Sequence, residues 1–533
     1  MKKFAVLITG TCLLVSSAFA GGILTNTNQS AQFARMLSRN ASTDLDAVYF
    51  NPAGLTQMKN GFYFGLHNQS ITQTKTITSE FPLQYSEYIG DVKAPVFPTA
   101  FAVYKMDNWA FSAGFGPNGG GGSANYDKGL PSFEKQIARL VPALSGLSSL
   151  GFPVTAYSVD ISFEGTSVFW GIQAGATYKI NEILSVYGGA RYLPSTNTYN
   201  GTISNIQLGP SGALVNAQTY LTSAATTATA KAQVTAAGAA SLQPLVAGGA
   251  GGMTTAQARA ANVITDLQKA QIEGGLQQLG MSAAQIAAIT IAGAQSTYST
   301  TSATLTATAS MLNANSSALA DKKLDTKQTG TGFTPIIGVD IHLDKLNIGL
   351  KYEHKTTLKL TNATVVDNTG LFPDGQTSNS DIPAIIAGGA DYQVLDKLKV
   401  SGSFNVYLDK NVNWGKNVYM QDRTIDKNYL ELAFGLEYKL TDNFALSTGF
   451  LSSDMGVSEQ YQSDFSYGND SYTGALGFQW NLSKKLVLDA GMMLTTYKDE
   501  TKSFTEPAPF GTYSETYSKD TFAFAFGIGY KIF

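Results

Sequence analysis

The chain closes on Thr521–Phe533, TFAFAFGIGYKIF. Phe522, Phe524, Phe526, Ile528 and Tyr530 alternate with Ala523, Ala525, Gly527, Gly529 and Lys531. A period of two is that of a β-strand, whose successive side chains leave on opposite faces. Here one face is bulky and apolar and the other is small or charged. A soluble core would not tolerate that second face, whereas a strand set between lipid and a polar lumen accommodates both.

The strand belongs to a repeated unit: an aromatic-lysine end, a tight polar turn, then a new alternating run. Tyr104-Lys105-Met106-Asp107-Asn108-Trp109, Tyr178-Lys179-Ile180-Asn181-Glu182-Ile183 and Tyr438–Phe444 (YKLTDNF) are close copies. Ile341–Leu346 (IHLDKL), Tyr392–Leu398 (YQVLDKL) and Trp480–Leu486 (WNLSKKL) are looser ones. Leu430–Leu440 alternates as the last strand does, with Leu430, Leu432, Phe434, Leu436, Tyr438 and Leu440 on one face. Six turns join twelve strands, and a first strand near Gly61–Thr74 and the last one make fourteen. An even count places both termini on one side, as in bacterial single-chain barrels. Short turns then belong to the periplasm, with Tyr and Trp as the interfacial girdle and lysine snorkelling beside them. The expected fold is all-β: a transmembrane antiparallel β-barrel of fourteen strands in a Gram-negative outer membrane. Phe533 itself is out of phase with the apolar face carried by Tyr530 and Ile532.

Composition agrees. Charged residues are 14% of the chain against about 25% in soluble domains, while aromatics reach 11%. Lys2 and Lys3, the apolar Phe4–Val15 and Ala18-Phe19-Ala20 read as a secretory signal, residues 1–20. Cys12, the only cysteine, lies within it, so no disulfide framework or thiol chemistry is expected of the mature chain. The net charge of −3 becomes −5 without Lys2 and Lys3, which argues against a nucleic-acid partner. After the signal no apolar run reaches the roughly 18 residues of a spanning helix.

Two segments interrupt the strand pattern on the exterior side. Pro117–Gly165 opens with Gly119-Gly120-Gly121-Gly122, which lacks the following Lys-Ser/Thr of a phosphate loop and reads as flexible loop. Within it, Leu130–Leu147 reads as a short helix capped by Ser132. Ser132 and Lys135 match S-x-x-K, but the partner motifs of penicillin-binding proteins are missing. Residues 203–329 form a longer Ala/Thr/Ser-rich insertion, with helix-like spacing over Thr255–Leu279 and Ser282–Leu319. It reads as a helical cap, a partner-binding module or low-complexity chain.

Ahead of the first strand lies Thr43–Met58, TDLDAVYFNPAGLTQM. By itself Asn51-Pro52-Ala53-Gly54 is a turn signal, since Pro52 pushes Asn51 out of the helical region. In its setting, Ala31–Met58 resembles the start of mature FadL/TodX-family transporters. A short helix near Ser30–Leu37, then Arg39-Asn40-Ala41-Ser42, leads into Tyr49-Phe50-Asn51-Pro52-Ala53-Gly54-Leu55. Gly129–Glu134 (GLPSFE) is also similar to family loop sequence. The resemblance covers plug and barrel but not residues 203–329.

The resemblance implies a plug of residues 21–60 inside a barrel of residues 61–533. It implies outer-membrane transport of hydrophobic compounds, long-chain fatty acids foremost. Capture would occur in an exterior groove, and release would be lateral, through a gap where the third strand kinks inward. Gly114, Gly116 and Pro117, at the end of Trp109–Phe115, suit that kink. The Asn51 amide and the plug backbone are expected to hydrogen-bond the backbone that such a gap exposes. A ligand carboxylate needs an internal cation, and Arg191 and Lys351 have the lumen phase; ion pairs with Glu353, Glu431 or Asp489 are the structural alternative.

A porin for small polar solutes, or a receptor or adhesin for another hydrophobic ligand such as haem, would use the same barrel. The plug motif argues against the porin. Only His67, His342 and His354 are present, which leaves little for catalysis or a metal site. The expected protein is therefore a monomer, not an enzyme, without cofactor or metal. Its partners are hydrophobic small molecules and outer-membrane lipid.

Overall fold

The computed structural model describes residues 24–414 and 422–533. The segment read as a secretory signal, residues 1–20, lies outside them, as does Cys12. The barrel wall begins with β1 (Gly61–Ser79), β2 (Glu87–Met106), β3 (Trp109–Tyr126) and β4 (Ala156–Lys179). β5 (Leu184–Gly209), β6 (Lys322–Leu343), β7 (Leu346–Glu353), β8 (Ile385–Leu395) and β9 (Leu398–Tyr407) follow. β10 (Tyr429–Thr441), β11 (Phe444–Asp454), β12 (Ser471–Asn481), β13 (Leu486–Tyr497) and β14 (Gly511–Lys531) complete the fourteen.

Each wall strand lies beside its sequence neighbours. β14 returns to β1, with register from Tyr63↔Lys531 to Ser79↔Glu515. Closure leaves no open sheet edge, the only arrangement in which strands can cross lipid.

The alternation has its expected consequence. Phe522, Phe524 and Phe526 are 45%, 49% and 43% exposed on the outer surface, while Ala523 and Ala525 are 2% and 0% exposed inside. Trp109, Tyr178, Tyr438, Trp480 and Tyr530 are exposed beside the short turns. Two of those turns use a left-handed residue, Asp107 and Asp344, with φ of 45° and 21°.

Three readings of local structure are corrected. The glycine run is not loop: β3 continues through it to Tyr126, with Gly120 and Gly121 at φ of 66° and 116°. The expected Leu130–Leu147 helix is α3 (Pro131–Ala138), and Ser132 does not cap it. The Ser132 N–H instead donates to Asp464 Oδ2 at 2.6 Å. Lys135 is ion-paired to Glu515 and lies 4.6 Å from the centre of the Phe504 ring and 4.7 Å from that of Tyr513, which gives it a structural place.

Residues 136–160 and 204–321 make a second compact unit. The insertion ends earlier than residue 329 because β6 already begins at Lys322. The unit contains α4 (Leu140–Ala143), α5 (Ala217–Ala247), α6 (Thr255–Ala260), α7 (Asp266–Gln278), α8 (Ala283–Ala288) and α9 (Ile291–Ala318). α5 and α9 run antiparallel, with Thr222 bonded to Ser316 and Ser302 to Ala232 O. Their buried positions recur every three or four residues: Ala217, Leu221, Ala224, Ala228 on one, Ile291, Ala294, Tyr298 on the other. α6, α7 and α8 each start with a capping box, at Thr254, Thr265 and Ser282. Leu242, Ile264, Ile272, Leu276 and Ile291 give the unit its own core.

Candidate functional site

Inside the barrel, residues 24–56 fold into a plug that is almost wholly buried. It holds two short helices, α1 (Ala31–Arg35) and α2 (Ala47–Phe50), and a 3-10 turn, Pro52–Gln57. None would be stable alone at these lengths, so tertiary anchoring must hold them. The small inner faces of the strands make the necessary room. A Cβ added at Gly477 or Gly119 would overlap Arg35 or the Leu24 carbonyl, and one at Gly349 would overlap the Asn40 carbonyl.

Charge fixes the plug's centre. Arg35 donates through Nε to Asp489 at 2.8 Å and also pairs with Glu437. Arg39 grips Asp46 with two bonds of 2.8 and 2.7 Å and reaches Asp44 at 2.8 Å. Burial works to raise the Asp44 carboxyl, but the Arg39 guanidinium outweighs it and holds the group below its ordinary value. The Arg39–Asp46 pair is fully buried, and breaking such a pair by removing one partner costs about 3–5 kcal/mol.

The Asn51-Pro52-Ala53-Gly54 motif opens the 3-10 turn, with Pro52 at the first helical position, where its missing N–H is no loss. Asn51 Nδ2 donates to Asp340 Oδ1 at 2.7 Å and to Ser42 O at 3.2 Å. Asn347 reaches the same Asp340 oxygen at 2.7 Å and Ala41 O at 3.0 Å. Thr177 donates to Pro52 O at 2.7 Å, and Ala53 packs on Tyr187 and Ile336. The motif therefore fastens the plug to β4, β6 and β7.

The wall is broken elsewhere. β2 and β3 pair from Met106↔Trp109 to Ala100↔Phe115 and resume only at Lys93↔Ser123. Residues 94–99 and 116–122 thus lose their mutual ladder, although β3 stays paired to β4 through Gly116↔Gly171 and Pro117↔Trp170. Pro95, Pro98 and Pro117 fall inside the break, and proline has no N–H to offer a ladder. Val96 stands 67% exposed there.

The first plug residues supply the missing bonds. The Asn26 N–H donates to Asn118 O at 2.8 Å. Its side chain donates to Gly120 O at 2.7 Å and to Pro117 O at 3.2 Å. Gln29 Nε2 adds a bond to Pro117 O at 2.9 Å. Asn68 of β1 accepts from the Phe97 N–H at 3.0 Å. A cavity lies between the plug and the break, lined by Gln29, Val48, Tyr49, Phe101, Phe115 and Arg191 among others.

Gly114, Gly116 and Pro117 are thus at or beside the break. Asn51 is not bonded to the β3 backbone; that task falls to Asn26 and Gln29, which sequence reasoning missed. One signal marks the place in the sequence, Pro95-Val96-Phe97-Pro98 facing Gly116-Pro117; nothing in the lead-in, where Asn26 and Asn28 look alike, singles out Asn26 and Gln29. Arg191 and Lys351 both bind Glu353: Arg191 at 2.6 and 3.1 Å, Lys351 at 2.7 Å. Lys351 also donates to Tyr49 O at 2.7 Å, and the two cations lie 4.9 and 4.6 Å from the centre of the Tyr49 ring. Glu431 accepts from Tyr407, Tyr429 and Asn405 instead.

Fold and site together define a class: a closed fourteen-stranded antiparallel barrel with an apolar outer face and an internal N-terminal plug. The crystal structure of a Pseudomonas aeruginosa FadL homologue matches with a TM-score of 0.56 at 13% identity, covering 96% of this chain and 100% of that one. The chain has the FadL-type fold. The Pseudomonas putida toluene transporter TodX matches at 12% identity and TM-score 0.46, over 91% of this chain and 94% of that one. The Ralstonia pickettii toluene transporter TbuX matches at 13% and 0.44, over 91% and 93%. No family model and no curated protein sequence matches the chain.

Proposed function

We propose that the protein carries hydrophobic compounds across the outer membrane, long-chain fatty acids foremost, and releases them sideways through the β2–β3 break. The observation that carries this reading is a wall opening closed by side-chain amides rather than by a strand. A net hydrogen bond contributes about 1 kcal/mol, so the three amide contacts of Asn26 and Gln29 are a weak seal beside a full ladder. An acyl chain gains about 0.8 kcal/mol per CH₂ on leaving water, a gain that an aqueous pore would not provide. Sideways exit into lipid keeps that gain.

The apolar interior favours the same reading over a porin. Phe163, Tyr199, Phe372 and Phe465 pack together above the plug, where a porin would hold water. The residues act by binding and guiding, with no chemical step and one chain sufficing. Two assays on one preparation test the proposal: liposome swelling with sugars and uptake of labelled oleate. Oleate uptake without sugar flux is expected. Sugar flux without oleate uptake would refute it.

A further inference from the structure

Asn118 lines the cavity at the β2–β3 break and is 3% exposed. Its side-chain oxygen has no hydrogen-bond partner among the described residues. The other polar side chains of the lining are committed. Tyr49 donates to Asn26 O at 3.0 Å, and Gln29 to Pro117 O at 2.9 Å and Asn26 O at 3.1 Å. Gln173 donates to Val48 O at 2.6 Å. Arg191 directs its guanidinium to Glu353 and to Gln173 Oε1.

The β2 side of the break repeats the pattern. Thr99 is 1% exposed, and its hydroxyl is also unpartnered among the described residues. It lies against Gly116 of the lining, where an added Cβ would come within 2.7 Å of the Thr99 methyl. A buried polar group without a partner destabilises the protein, and a guest that bonds to it relieves that cost. The rest of the lining is largely apolar, with Val48, Phe101 and Phe115. Phe115 is 39% exposed and stacks on Trp170 with ring centres 5.0 Å apart, so the apolar wall runs from the cavity to the outer surface.

We propose that Asn118 is a head-group subsite in the break for an uncharged amphiphile that can give a hydrogen bond, a long-chain alcohol first, whose tail follows Phe115 toward lipid. The inference rests on the transport reading and extends its cargo beyond acids. An amide oxygen is satisfied only by a donor, and a hydroxyl also accepts, so it matches the amide at either end. Esters and ionised heads accept without giving, and a carboxylic acid fits only with its proton on. The Arg191 charge is already matched by Glu353.

Binding of oleyl alcohol, methyl oleate and oleyl sulfate to the detergent-purified full chain tests the subsite. Asn118→Leu is expected to weaken oleyl alcohol about fivefold, the net worth of one hydrogen bond, and the other two less than about twofold. Heat-modifiable migration on a gel checks that the barrel is intact, and Asn118→Ala carries the same test if the first variant does not fold. An equal loss for methyl oleate would mark a structural effect, and an equal or larger loss for oleyl sulfate an anion site; either would overturn the subsite. Unchanged binding of oleyl alcohol would also overturn it and leave transport standing. Failure of the unaltered protein to bind any of the three would remove the transport reading and the subsite with it.

Discussion

Asn51 shows how one side chain can join a plug to a wall. Its amide shares a buried Asp340 oxygen with Asn347, so Asn51→Ala deprives that carboxylate of one of its donors. A loss of this kind costs about 1–3 kcal/mol. Uptake of oleate is expected to fall several-fold while the amount of barrel in the membrane stays the same; both are read from one set of cells. Asp409, in the connection after β9, is a different case. Its carboxylate oxygens are buried without a close hydrogen-bond partner among the described residues, and burial pushes its pKa up to about 8. A raised acid binds more protons folded than unfolded, so its contribution is fully present below about pH 4 and is lost as pH rises toward 8. Asp409→Asn is therefore expected to raise the thermal midpoint at pH 8 and leave it unchanged near pH 4. A pH series of melting curves on both proteins decides it.

Among elements, β2 and β3 differ from the rest by where they cease to pair. The glycines that suit β3 to this are contact sites for the plug as much as sources of freedom. A Cβ at Gly119 would overlap the Leu24 carbonyl, so Gly119→Ala is expected to lift residues 24–29 from the break. Hydrogen exchange at the amides of residues 26–29 should rise about tenfold, while that of β14 does not change. The strands themselves were legible because lipid outside and plug inside impose opposite demands on alternate residues. The break was only half legible: Gly114, Gly116 and Pro117 pointed to β3, whereas Pro95 and Pro98 on its second side mark a break only once the two strands are known to face each other there. The bonding of Asn26 and Gln29 to that break could not be read at all, because it joins residues about ninety positions apart through a backbone that pairing rules say should be satisfied. α5 was missed because Ala and Thr on every face hide the contrast on which helical periodicity depends.

At the scale of the whole molecule, the barrel and the insertion have separate cores. β5 and β6 are already paired through Ile203↔Lys322 at the base of the insertion, so the wall does not depend on what lies between. Replacing residues 217–318 by a short Gly/Ser linker is expected to leave a heat-modifiable barrel in the membrane, since loop length itself adds little to closure. Loss of the barrel would show that the insertion is needed for folding. The cysteine-free mature chain expected from the sequence also permits a direct trial of the gate. Asn26 and Asn118 meet through a backbone hydrogen bond at the break. With Asn26→Cys and Asn118→Cys, oxidation ties the plug's first residues to β3, and reduction frees them. Uptake of labelled oleate by cells carrying this variant is expected to stop on oxidation and to return with reductant. Undiminished uptake in the oxidised, disulfide-verified protein would contradict release through the β2–β3 break.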